Sequence, residues 1–498
     1  MFSTRNPPGR PVHKICLCAA FLILSGCAGT HDIAPQGRGF GNQDLATDAA
    51  IQSANHDAGW PDGQWWRAYR DPQLDAWMAR ALAGSPTLAQ AAARVRLALA
   101  AAGVAEAATA PQVGGDLSVR AQRWPTDYFY GPGELAKTTT WNNSAGIGFS
   151  YALDFWGRER GNAERYLNLA QMAAAQARVA QLELEGNIVR AYIQFSLHYA
   201  ELDIERATLG YQERILGLAR RRLAGGFGTR LEVGQAEAPL PETRRRIEAV
   251  EEAIAVSRHQ LAALAGQGPG AGASLERPAL ALAEPPGLPG ELPLELLGHR
   301  PDVVASRWQV AGQARGVEVA RADFYPNIDL LAGLGYSAVQ GNVLSFLNGQ
   351  KLNVGLGAAL SLPIFDGGRL RARLGAASAE YDAAVAEYNE TLVRALQSIS
   401  DELIRRRSLE AQQALAQQSL QAAQKIHDDA EKAFRGGLTD YFNVLEAQVR
   451  LSQTRLIEQR VLAARLLAYA GLNIALGGGL LGDGDGASGR QMQALERP

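Results

Sequence analysis

The stretch Lys351–Leu362, KLNVGLGAALSL, has the clearest alternation in the chain. Its apolar residues share one parity and its small or polar residues share the other: Leu352, Val354, Leu356, Leu360 and Leu362 against Asn353, Gly355, Gly357 and Ser361. Successive side chains of a β-strand point to opposite faces of a sheet, so the pattern predicts a strand with one apolar face. The stretch is also long enough to cross a bilayer as a tilted strand, which takes about 9–11 residues.

Three more segments alternate in the same way, and together the four predict strands at 112–123, 144–154, 327–338 and 351–362. A soluble antiparallel sheet with one wet face has the same alternation, so the pattern alone leaves both environments open. If the strands cross a bilayer, four are too few to close a barrel. A sheet edge in lipid would leave its backbone groups without hydrogen bonds. The membrane interpretation therefore predicts a barrel that several subunits share.

The N-terminus has the organisation of a bacterial lipoprotein signal. A basic segment precedes an apolar core, residues 15–24, which is too short to span a bilayer as a helix. Leu24-Ser25-Gly26-Cys27 then places small residues before a cysteine, which predicts a signal peptide over 1–26 and acylation of Cys27. Ala28, rather than Asp, is typical of lipoproteins sent to the outer membrane. A lipoprotein signal favours a membrane environment for the four strands. The alternative for the N-terminus is an ordinary secretory signal with a cysteine there by chance.

Acylation accounts for the only cysteine of the mature chain, because Cys16 and Cys18 lie inside the signal. We expect a covalent N-acyl and S-diacylglycerol lipid of the palmitate type on Cys27, with no other cofactor and no metal. One acyl chain alone binds a membrane only reversibly, so a multiply acylated cysteine or a second membrane element is needed for stable attachment.

The composition of the mature chain argues against nucleic-acid binding and catalysis. Arg5, Arg10 and Lys14 lie in the signal, so the 49 basic residues fall to 46 against 51 acidic ones. The remaining six histidines all lie more than 20 residues apart, which leaves no local metal motif. The sequence has neither a nucleophile elbow nor a P-loop. We therefore expect no enzyme; a scaffold or adhesin without a pore is a further alternative.

The chain contains an internal duplication. Ser85-Pro86 and Arg300-Pro301 each open a helical stretch, at an offset of 215 residues. Gly225-Gly226-Phe227 and Gly436-Gly437-Leu438 recur at an offset of 211 residues. Each half therefore has the order helix, strand, strand, long helix, turn, helix.

The duplication divides the chain into six expected segments. These are a signal peptide at 1–26, an acylated segment with the first helix at 27–84, a first repeat at 85–265, a Pro- and Gly-rich linker at 266–299, a second repeat at 300–475 and a disordered tail at 476–498. The long helices of the repeats are predicted at 158–225, 230–265, 367–435 and 440–475. As one helix, Gly161–Gly225 would reach roughly 96 Å. Apolar residues between Tyr381 and Leu403 recur every three or four residues, which predicts a coiled-coil seam.

These features together resemble the outer-membrane efflux protein family, the TolC-like ducts, and in particular their NodT-type lipoprotein branch. The resemblance covers about residues 60–475 and rests on the order of several motifs. They are Trp65-Trp66, Asp71-Pro72-Gln73-Leu74, Arg300-Pro301-Asp302-Val303, Phe324-Tyr325-Pro326-Asn327-Ile328, Leu362-Pro363-Ile364-Phe365-Asp366-Gly367-Gly368-Arg369 and Phe434-Arg435-Gly436-Gly437-Leu438-Thr439-Asp440.

The resemblance implies a mixed α/β membrane protein in which each subunit of a homotrimer gives four strands to a twelve-stranded β-barrel. Long coiled helices would form an α-helical barrel in the periplasm. The implied function is a passive, gated exit duct for small toxic compounds in a tripartite, RND-type efflux system. Its partners would be a periplasmic adaptor, an inner-membrane pump and outer-membrane lipid, but no nucleic acid. Export of metal ions or of a secreted product is the alternative.

Two glycine-rich turns follow the long helices; we name residues 225–229 the first tip and residues 436–440 the second tip. Their glycines can end the preceding helix, Thr229 with Glu232 fits a capping box, and Thr439 or Asp440 can cap the next helix. Pro239 and Pro241 follow only the first tip and predict a kink there. The resemblance implies that both tips contact the adaptor, through Gly225, Gly226, Phe227, Gly228, Thr229, Gly436, Gly437, Leu438, Thr439 and Asp440.

The resemblance also implies a periplasmic gate after the second tip, at Phe442 and Glu446. Carboxylates that converge on a trimer axis would raise one another's pKa and favour cations. The alternative for Glu446 is a surface ion pair with Arg450, one helical turn away, worth about 0.2–0.5 kcal/mol. Val449 stands where some relatives carry arginine, which argues against a gate-locking salt bridge.

Overall fold

The computed structural model describes residues 32–41, 44–46, 51, 61–125, 137–281, 299–338, 343–344 and 347–479. The signal peptide, Cys27, half of the predicted linker and most of the predicted tail lie outside the described residues. The chain forms two compact units. The sheet unit comprises the residues up to Gly39, Arg96–Met172 and Ser306–Tyr388, and the helical unit comprises Phe40–Val95, Ala173–Ala305 and the residues from Asn389 onward.

The elements follow the duplicated order. They are α1 (Pro72–Gly84), α2 (Pro86–Ala107), β1 (Gln112–Arg123), β2 (Thr139–Ala152), α3 (Arg158–Ala224), α4 (Arg230–Glu237), α5 (Pro239–Leu264), α6 (Pro301–Ala322), β3 (Asn327–Ala338), β4 (Leu352–Ser361), α7 (Arg369–Arg435) and α8 (Tyr441–Ala475). Short 3₁₀ helices occupy Trp65–Tyr69, Pro269–Ser274 and Gly349–Lys351. The helices α3 and α7, the long helices of the two repeats, have 67 residues each.

The second strand and the helix after the first tip differ from the predicted spans. β2 begins at Thr139 rather than at 144, because it pairs with β1 as far as Arg123. The predicted helix 230–265 is divided at Ala238 into α4 and α5. Pro239 and Pro241 have no backbone N–H to donate to the preceding turn, which is why the hydrogen bonding breaks at this point.

The start of the second long helix and the ends of β4 also differ from the predicted bounds. The second long helix begins at Arg369 rather than at 367, since Gly367 and Gly368 have φ values of 67° and 88°. The Asp366 carboxylate accepts the N–H groups of Gly368 and Leu370, at 3.0 and 2.7 Å, and caps the helix. β4 spans Leu352–Ser361 and is one residue shorter at each end than predicted.

The first four residues of the predicted disordered tail, 476–479, form turns that pack on the helical unit. Leu476 is buried, and Gly477, Gly478 and Gly479 all have positive φ. A Cβ on Gly477 would come within 2.4 Å of the His299 carbonyl oxygen, so only glycine fits there. The helical unit therefore holds the chain as far as Gly479, and the rest of the tail lies outside the described residues.

The core of the helical unit is an aromatic cluster around α1. Trp77, Tyr192 and Phe195 are almost completely buried and pack with residues of α5 and α8. Their polar atoms have partners: Trp77 Nε1 donates to the Leu261 carbonyl at 3.1 Å, and the Tyr192 hydroxyl donates to Asp71 Oδ2 at 2.9 Å. The same Asp71 side chain caps α1 by accepting from the amides of its first turn. The cluster thus fixes α1 against the long helix α3.

One described helix, α2, is long and apolar enough to cross a bilayer by length and composition. Its hydropathy comes largely from alanine, which also favours helix formation. The duplication gives α2 a counterpart, α6, that occupies the same place in the second repeat. α6 carries charges along its length, from Asp302 to Arg321, and is not a candidate span. The shared position argues against α2 as a membrane span, although in the single chain only Ala102 and Ala105 of α2 are buried.

Candidate functional site

The four strands form one antiparallel sheet in the order β1-β2-β3-β4, and its register separates two chemically different faces. Residues paired across adjacent strands lie on the same face. One face is apolar and carries Val113, Leu117, Val119, Ile147, Phe149, Leu330, Leu334, Leu352, Val354, Leu356 and Leu360. Most of these side chains are exposed, and Leu356 reaches 87%. A soluble sheet buries its apolar face against a core, so this face is built for lipid.

The opposite face is polar and lined by small side chains. A row of four paired glycines, Gly114, Gly148, Gly333 and Gly355, crosses the sheet from β1 to β4. Asp116, Ser118, Arg120 and Gln122 alternate along β1 on this face. Gly335 is required by close packing, because a Cβ there would lie 2.7 Å from the Ala145 carbonyl oxygen of β2. Such a face suits contact with water.

The outer edges of the sheet have no strand beside them within the described residues: β1 pairs only with β2, and β4 only with β3. Edge amides and carbonyls cannot remain unpaired in hydrocarbon. A sheet with an exposed apolar face and two open edges therefore needs strands from further chains to close it.

Aromatic side chains mark the point where the strands meet the helices. Trp156 stacks on Tyr325 with a ring-centroid distance of 4.4 Å, and Trp156 Nε1 donates to the Pro326 carbonyl at 2.9 Å. Phe155 and Phe365 are exposed beside the same strand ends. Aromatic girdles of this kind lie at the interfaces of membrane barrels, where a ring contacts lipid and its polar atom contacts water. This aromatic belt of Phe155, Trp156, Tyr325 and Phe365 places the edge of the bilayer at the junctions between strands and helices.

The N-terminal segment around residues 33–37 is bound to α7 within the sheet unit. The sequence did not predict this contact. Ile33 packs against the buried cluster of Val317, Ala320 and Leu374. The amides of Gln36 and Gly37 both donate to Asp382 Oδ1, at 2.8 and 2.6 Å. The partners are more than 340 residues apart in the chain. No local pattern around Asp382 could have indicated the contact.

The two tips have the same backbone motif. Gly226 and Gly437 have φ values of 78° and 72°, and each follows the end of a long helix. At the first tip the amide of Phe227 donates to the Arg222 carbonyl at 2.9 Å, and at the second the amide of Leu438 donates to the Ala433 carbonyl at 2.8 Å. These are Schellman turns, which require a residue that tolerates positive φ. Gly225, Gly228 and Gly436 keep negative φ.

The helices after the tips are capped by the side chains that the sequence indicated. Thr229 and Glu232 form the capping box at the start of α4. Asp440 caps α8 by accepting the Asn443 amide at 3.2 Å, while Thr439 accepts the Asn443 side chain at 2.7 Å. Both turns are therefore rigid, with their apolar residues presented outward.

Each tip exposes one large apolar side chain to solvent. Phe227 is 82% exposed and Leu438 is 85% exposed. A groove of about 680 Å³ lies beside Leu438 of the second tip. Its wall combines the apolar Ile215, Leu218, Phe434 and Leu438 with the charged Arg222, Glu232 and Asp440. Rigid turns, exposed apolar side chains and an amphipathic groove are the features of a protein-docking surface.

A buried cluster supports the tips from behind. Tyr211 and Ile215 of α3 pack with Tyr441 and Val444 of α8. Burial raises the pKa of Tyr211 to about 12. His427 of α7 meets the Tyr211 ring edge-on, at 5.1 Å between centroids. The cluster ties α8 to both long helices.

Phe442 and Glu446, the two residues predicted for a gate, lie one turn apart on α8. Phe442 is 55% exposed and lines the tip groove beside Ile215 and Leu438, and Val449 is 42% exposed. Glu446 is exposed as well, and among the described residues it forms no ion pair with Arg450. Both side chains are therefore accessible to solvent in the single chain.

Comparisons with known proteins agree with this geometry. The sequence model of the family described as "Outer membrane efflux protein" matches residues 77–267 and 292–478. The chain is 52% identical over 375 residues to the fusaric acid resistance protein FusA of Burkholderia cepacia, covering 75% of this chain and 71% of that protein. It is 31% identical over 425 residues to the pyoverdine export outer membrane protein OpmQ of Pseudomonas aeruginosa, covering 85% and 89%.

Among solved structures, the outer membrane protein VceC of Vibrio cholerae superposes with a TM-score of 0.78 at 31% identity, over 84% of this chain and all of that one. The Campylobacter jejuni CmeC outer membrane channel shares the fold, with a TM-score of 0.82 at 20% identity over 93% and 98% of the two chains. The chain therefore belongs to the outer membrane efflux protein family and is a TolC-like channel of the outer membrane that extends into the periplasm.

Proposed function

We propose that the protein is the trimeric exit duct of a tripartite efflux system and passes small toxic organic compounds out of the cell. The sheet carries this proposal, because its exposed apolar face and two open edges are satisfied only when copies of the chain close a barrel in lipid. In that barrel the polar face, with its row of glycines, lines the passage. The relation to FusA supports an organic compound such as fusaric acid as the cargo.

In this proposal the protein supplies the path, and an inner-membrane pump supplies the energy for export. The relation to outer membrane efflux proteins supports this division of roles. The polar face of the sheet offers small side chains and scattered single charges along the path.

Deletion of the gene tests the proposed cargo. We expect the deletion strain to become several-fold more sensitive to fusaric acid and related organic acids, and a plasmid copy to restore resistance. Sensitivity to copper or silver alone would instead assign the duct to metal export. Loss of a secreted product without any change in resistance would assign it to that product. Either of these results would contradict an organic toxin as the cargo.

The lipid on Cys27 would tether the N-terminus near the barrel. Ile33 lies six positions after Cys27 and packs against the same buried cluster as Phe324, at the strand–helix junction. An extended chain of that length spans at most about 20–22 Å, so the acylated cysteine can reach the same bilayer interface as the aromatic belt. The barrel already holds the protein in the membrane, which makes the lipid a second attachment.

We expect Cys27→Ala, exported with a conventional signal peptide, to retain most of its export activity. The measurement is resistance to the exported compound in a deletion strain, with trimer content of the outer membrane checked on the same cells. Wild-type protein behind the same foreign signal is the control. Complete loss of export by well-localised mutant trimers would show that the lipid does more than tether the chain.

We also propose that Phe442 and Glu446 narrow the periplasmic entrance. Their exposed side chains on α8 would face the axis when three copies assemble around the tunnel. Converging carboxylates at Glu446 would favour cations in the closed channel.

Replacing both side chains should therefore open the channel. We expect Phe442→Ala with Glu446→Gln to raise single-channel conductance in planar bilayers several-fold and to reduce cation selectivity. Arg450→Gln, on the next turn of the same helix, is the matched control and should leave the conductance near that of the wild type. Unchanged conductance in the double variant would remove these residues from the gate.

The tips would dock the periplasmic adaptor that links the duct to the pump. Their Schellman turns present Phe227 and Leu438 outward, and the groove beside Leu438 can accept apolar side chains of a partner helix. This arrangement supports an end-on contact with helical hairpins of the adaptor.

A further inference from the structure

The two tips differ in charge although they share one backbone motif. Residues 219–230 contain no acidic residue and four arginines: Arg220, Arg221, Arg222 and Arg230. The equivalent residues of the second repeat, 430–441, contain two basic and two acidic residues, so their charges cancel. In particular, Glu431 stands in the second repeat where the first has Arg220.

The cations of the second tip are neutralised within the chain. Lys432 Nζ lies 3.8 Å from Asp429 Oδ1. The Arg435 guanidinium contacts the Glu431 carboxylate at 2.5 Å. The Asp440 carboxylate is engaged in capping α8. The second tip therefore presents Leu438 on a surface without net charge.

Most of the charge of the first tip is not neutralised. Arg220 forms an ion pair with Glu237 at 3.1 Å. Arg221, Arg222 and Arg230 are exposed, and in the part of the chain that the structure describes they form no ion pair. The tip that exposes Phe227 thus carries three exposed arginines without an ion pair.

Helix stability explains only part of this arrangement. Arg221 and Arg222 lie in the last turn of α3, where cations interact favourably with the helix dipole. Arg230 is the first residue of α4, where the dipole disfavours a cation. Arg222 is also held in place, since its Nη2 donates to the Phe227 carbonyl at 3.3 Å and its guanidinium lies 5.7 Å from the Phe434 ring centre. Arg222 is therefore oriented by contacts other than an ion pair within the described chain.

We propose that the first tip recognises its partner by charge and binds the acidic end of a helical hairpin of the adaptor. Carboxylates of the hairpin pair with Arg221, Arg222 and Arg230 while an apolar pocket receives Phe227. The neutral second tip binds by apolar contact through Leu438. The inference rests on the proposed docking of the tips. Charge complementarity of this kind sets partner choice and register more than raw affinity, so the two tips would fix how the adaptor is turned on the duct.

Binding of charged probes to the purified full-length protein tests the charge preference directly. The probe is a synthetic antiparallel helical hairpin with three Glu residues around an apolar turn, and matched hairpins carry Gln or Lys instead. At low salt we expect the Glu hairpin to bind about tenfold more tightly than the Gln hairpin, equivalent to about 1.4 kcal/mol. The preference should shrink in about 1 M salt, where the Debye length falls to about 3 Å. Equal binding of the Glu and Gln hairpins would overturn the proposal.

Substitutions at the two tips locate the preference. R221Q/R222Q/R230Q should abolish it, and R221Q/R230Q, which leaves the Arg222 contacts intact, should weaken it by at least about threefold. K432Q/R435Q at the second tip is the matched control and should keep it. Equal loss in the control would overturn the assignment to the first tip. Binding to phosphatidylglycerol vesicles with no preference for the Glu hairpin would assign the arginines to a membrane surface instead and would also overturn it.

Resistance assays separate this inference from the proposed function. The charge-reversal variant R221E/R222E/R230E should lose export while its trimer content and single-channel conductance stay at wild-type levels. Suppressors that restore export should replace acidic residues of the adaptor by neutral or basic ones. If the reversal variant exports as well as the wild type, the inference fails and the duct function stands. If the wild-type gene confers no export at all, the duct function itself fails.

Discussion

Replacing Leu356 by arginine is expected to prevent the protein from assembling in the outer membrane. Leu356 lies in the middle of β4 on the apolar face of the sheet, with 87% of its surface exposed. Arginine on the lipid face of a membrane barrel costs about 2–4 kcal/mol at the bilayer midplane. The cost recurs in every subunit of the proposed trimer. Heat-resistant oligomers in the outer-membrane fraction, followed on denaturing gels with and without boiling, should disappear.

The matched control for this variant is Ala359→Arg. Ala359 lies three residues further along β4 and belongs to the opposite, polar face. Its side chain points to water in the closed barrel, so the same arginine should be tolerated there. Leu356→Ile, which keeps the apolar surface, should assemble normally. If Leu356→Arg and Ala359→Arg assembled equally well, the apolar face would not be the lipid face.

Replacing Trp77 by alanine is expected to destabilise the helical unit by about 3–5 kcal/mol, the usual range for deleting a large buried aromatic side chain. Trp77 is 2% exposed and belongs to the aromatic core cluster around α1. Its indole N–H also donates to the Leu261 carbonyl of α5 at 3.1 Å. Thermal unfolding of the purified protein in detergent, followed by circular dichroism, should shift to a lower temperature.

Two further variants separate packing from hydrogen bonding at this site. Trp77→Phe keeps much of the ring volume but removes the donor to Leu261, and we expect a loss of about 1–3 kcal/mol. Trp156→Ala removes an exposed tryptophan that stacks on Tyr325, and we expect a smaller loss of about 0.5–1.5 kcal/mol. An effect of Trp77→Ala no larger than that of Trp156→Ala would mean that α1 does not depend on the cluster.

The parts of the fold that follow from short-range patterns could be predicted from the sequence. The alternation in the first and third strands placed them at 112–123 and 327–338, which are the bounds of β1 and β3. Period-two alternation is visible over a few residues because it depends only on which face each side chain occupies. The tip turns were accessible for a similar reason, since Schellman turns and capping boxes are local and have a residue signature.

The features that depend on distant contacts could not be predicted. Asp382 holds the amides of Gln36 and Gly37, and nothing near Asp382 in the sequence marks it as their acceptor. Gly477 is ordered because the His299 region leaves no room for a side chain, although glycine-rich composition suggested disorder. The different charge of the two tips was readable in the sequence, but its meaning depended on which arginines find partners in the folded chain.

The glycine row that crosses the sheet also affects how a solute leaves the proposed channel. Gly114, Gly148, Gly333 and Gly355 present bare peptide at that level, and the row repeats in every subunit of the proposed trimer. The amides and carbonyls of these residues are engaged in the ladder between strands, so few are left to bind a passing molecule. A hydrophobic cargo also finds no side chain there on which to adsorb. The wall at this level should therefore be non-adhesive, giving short residence times and little competition between different solutes.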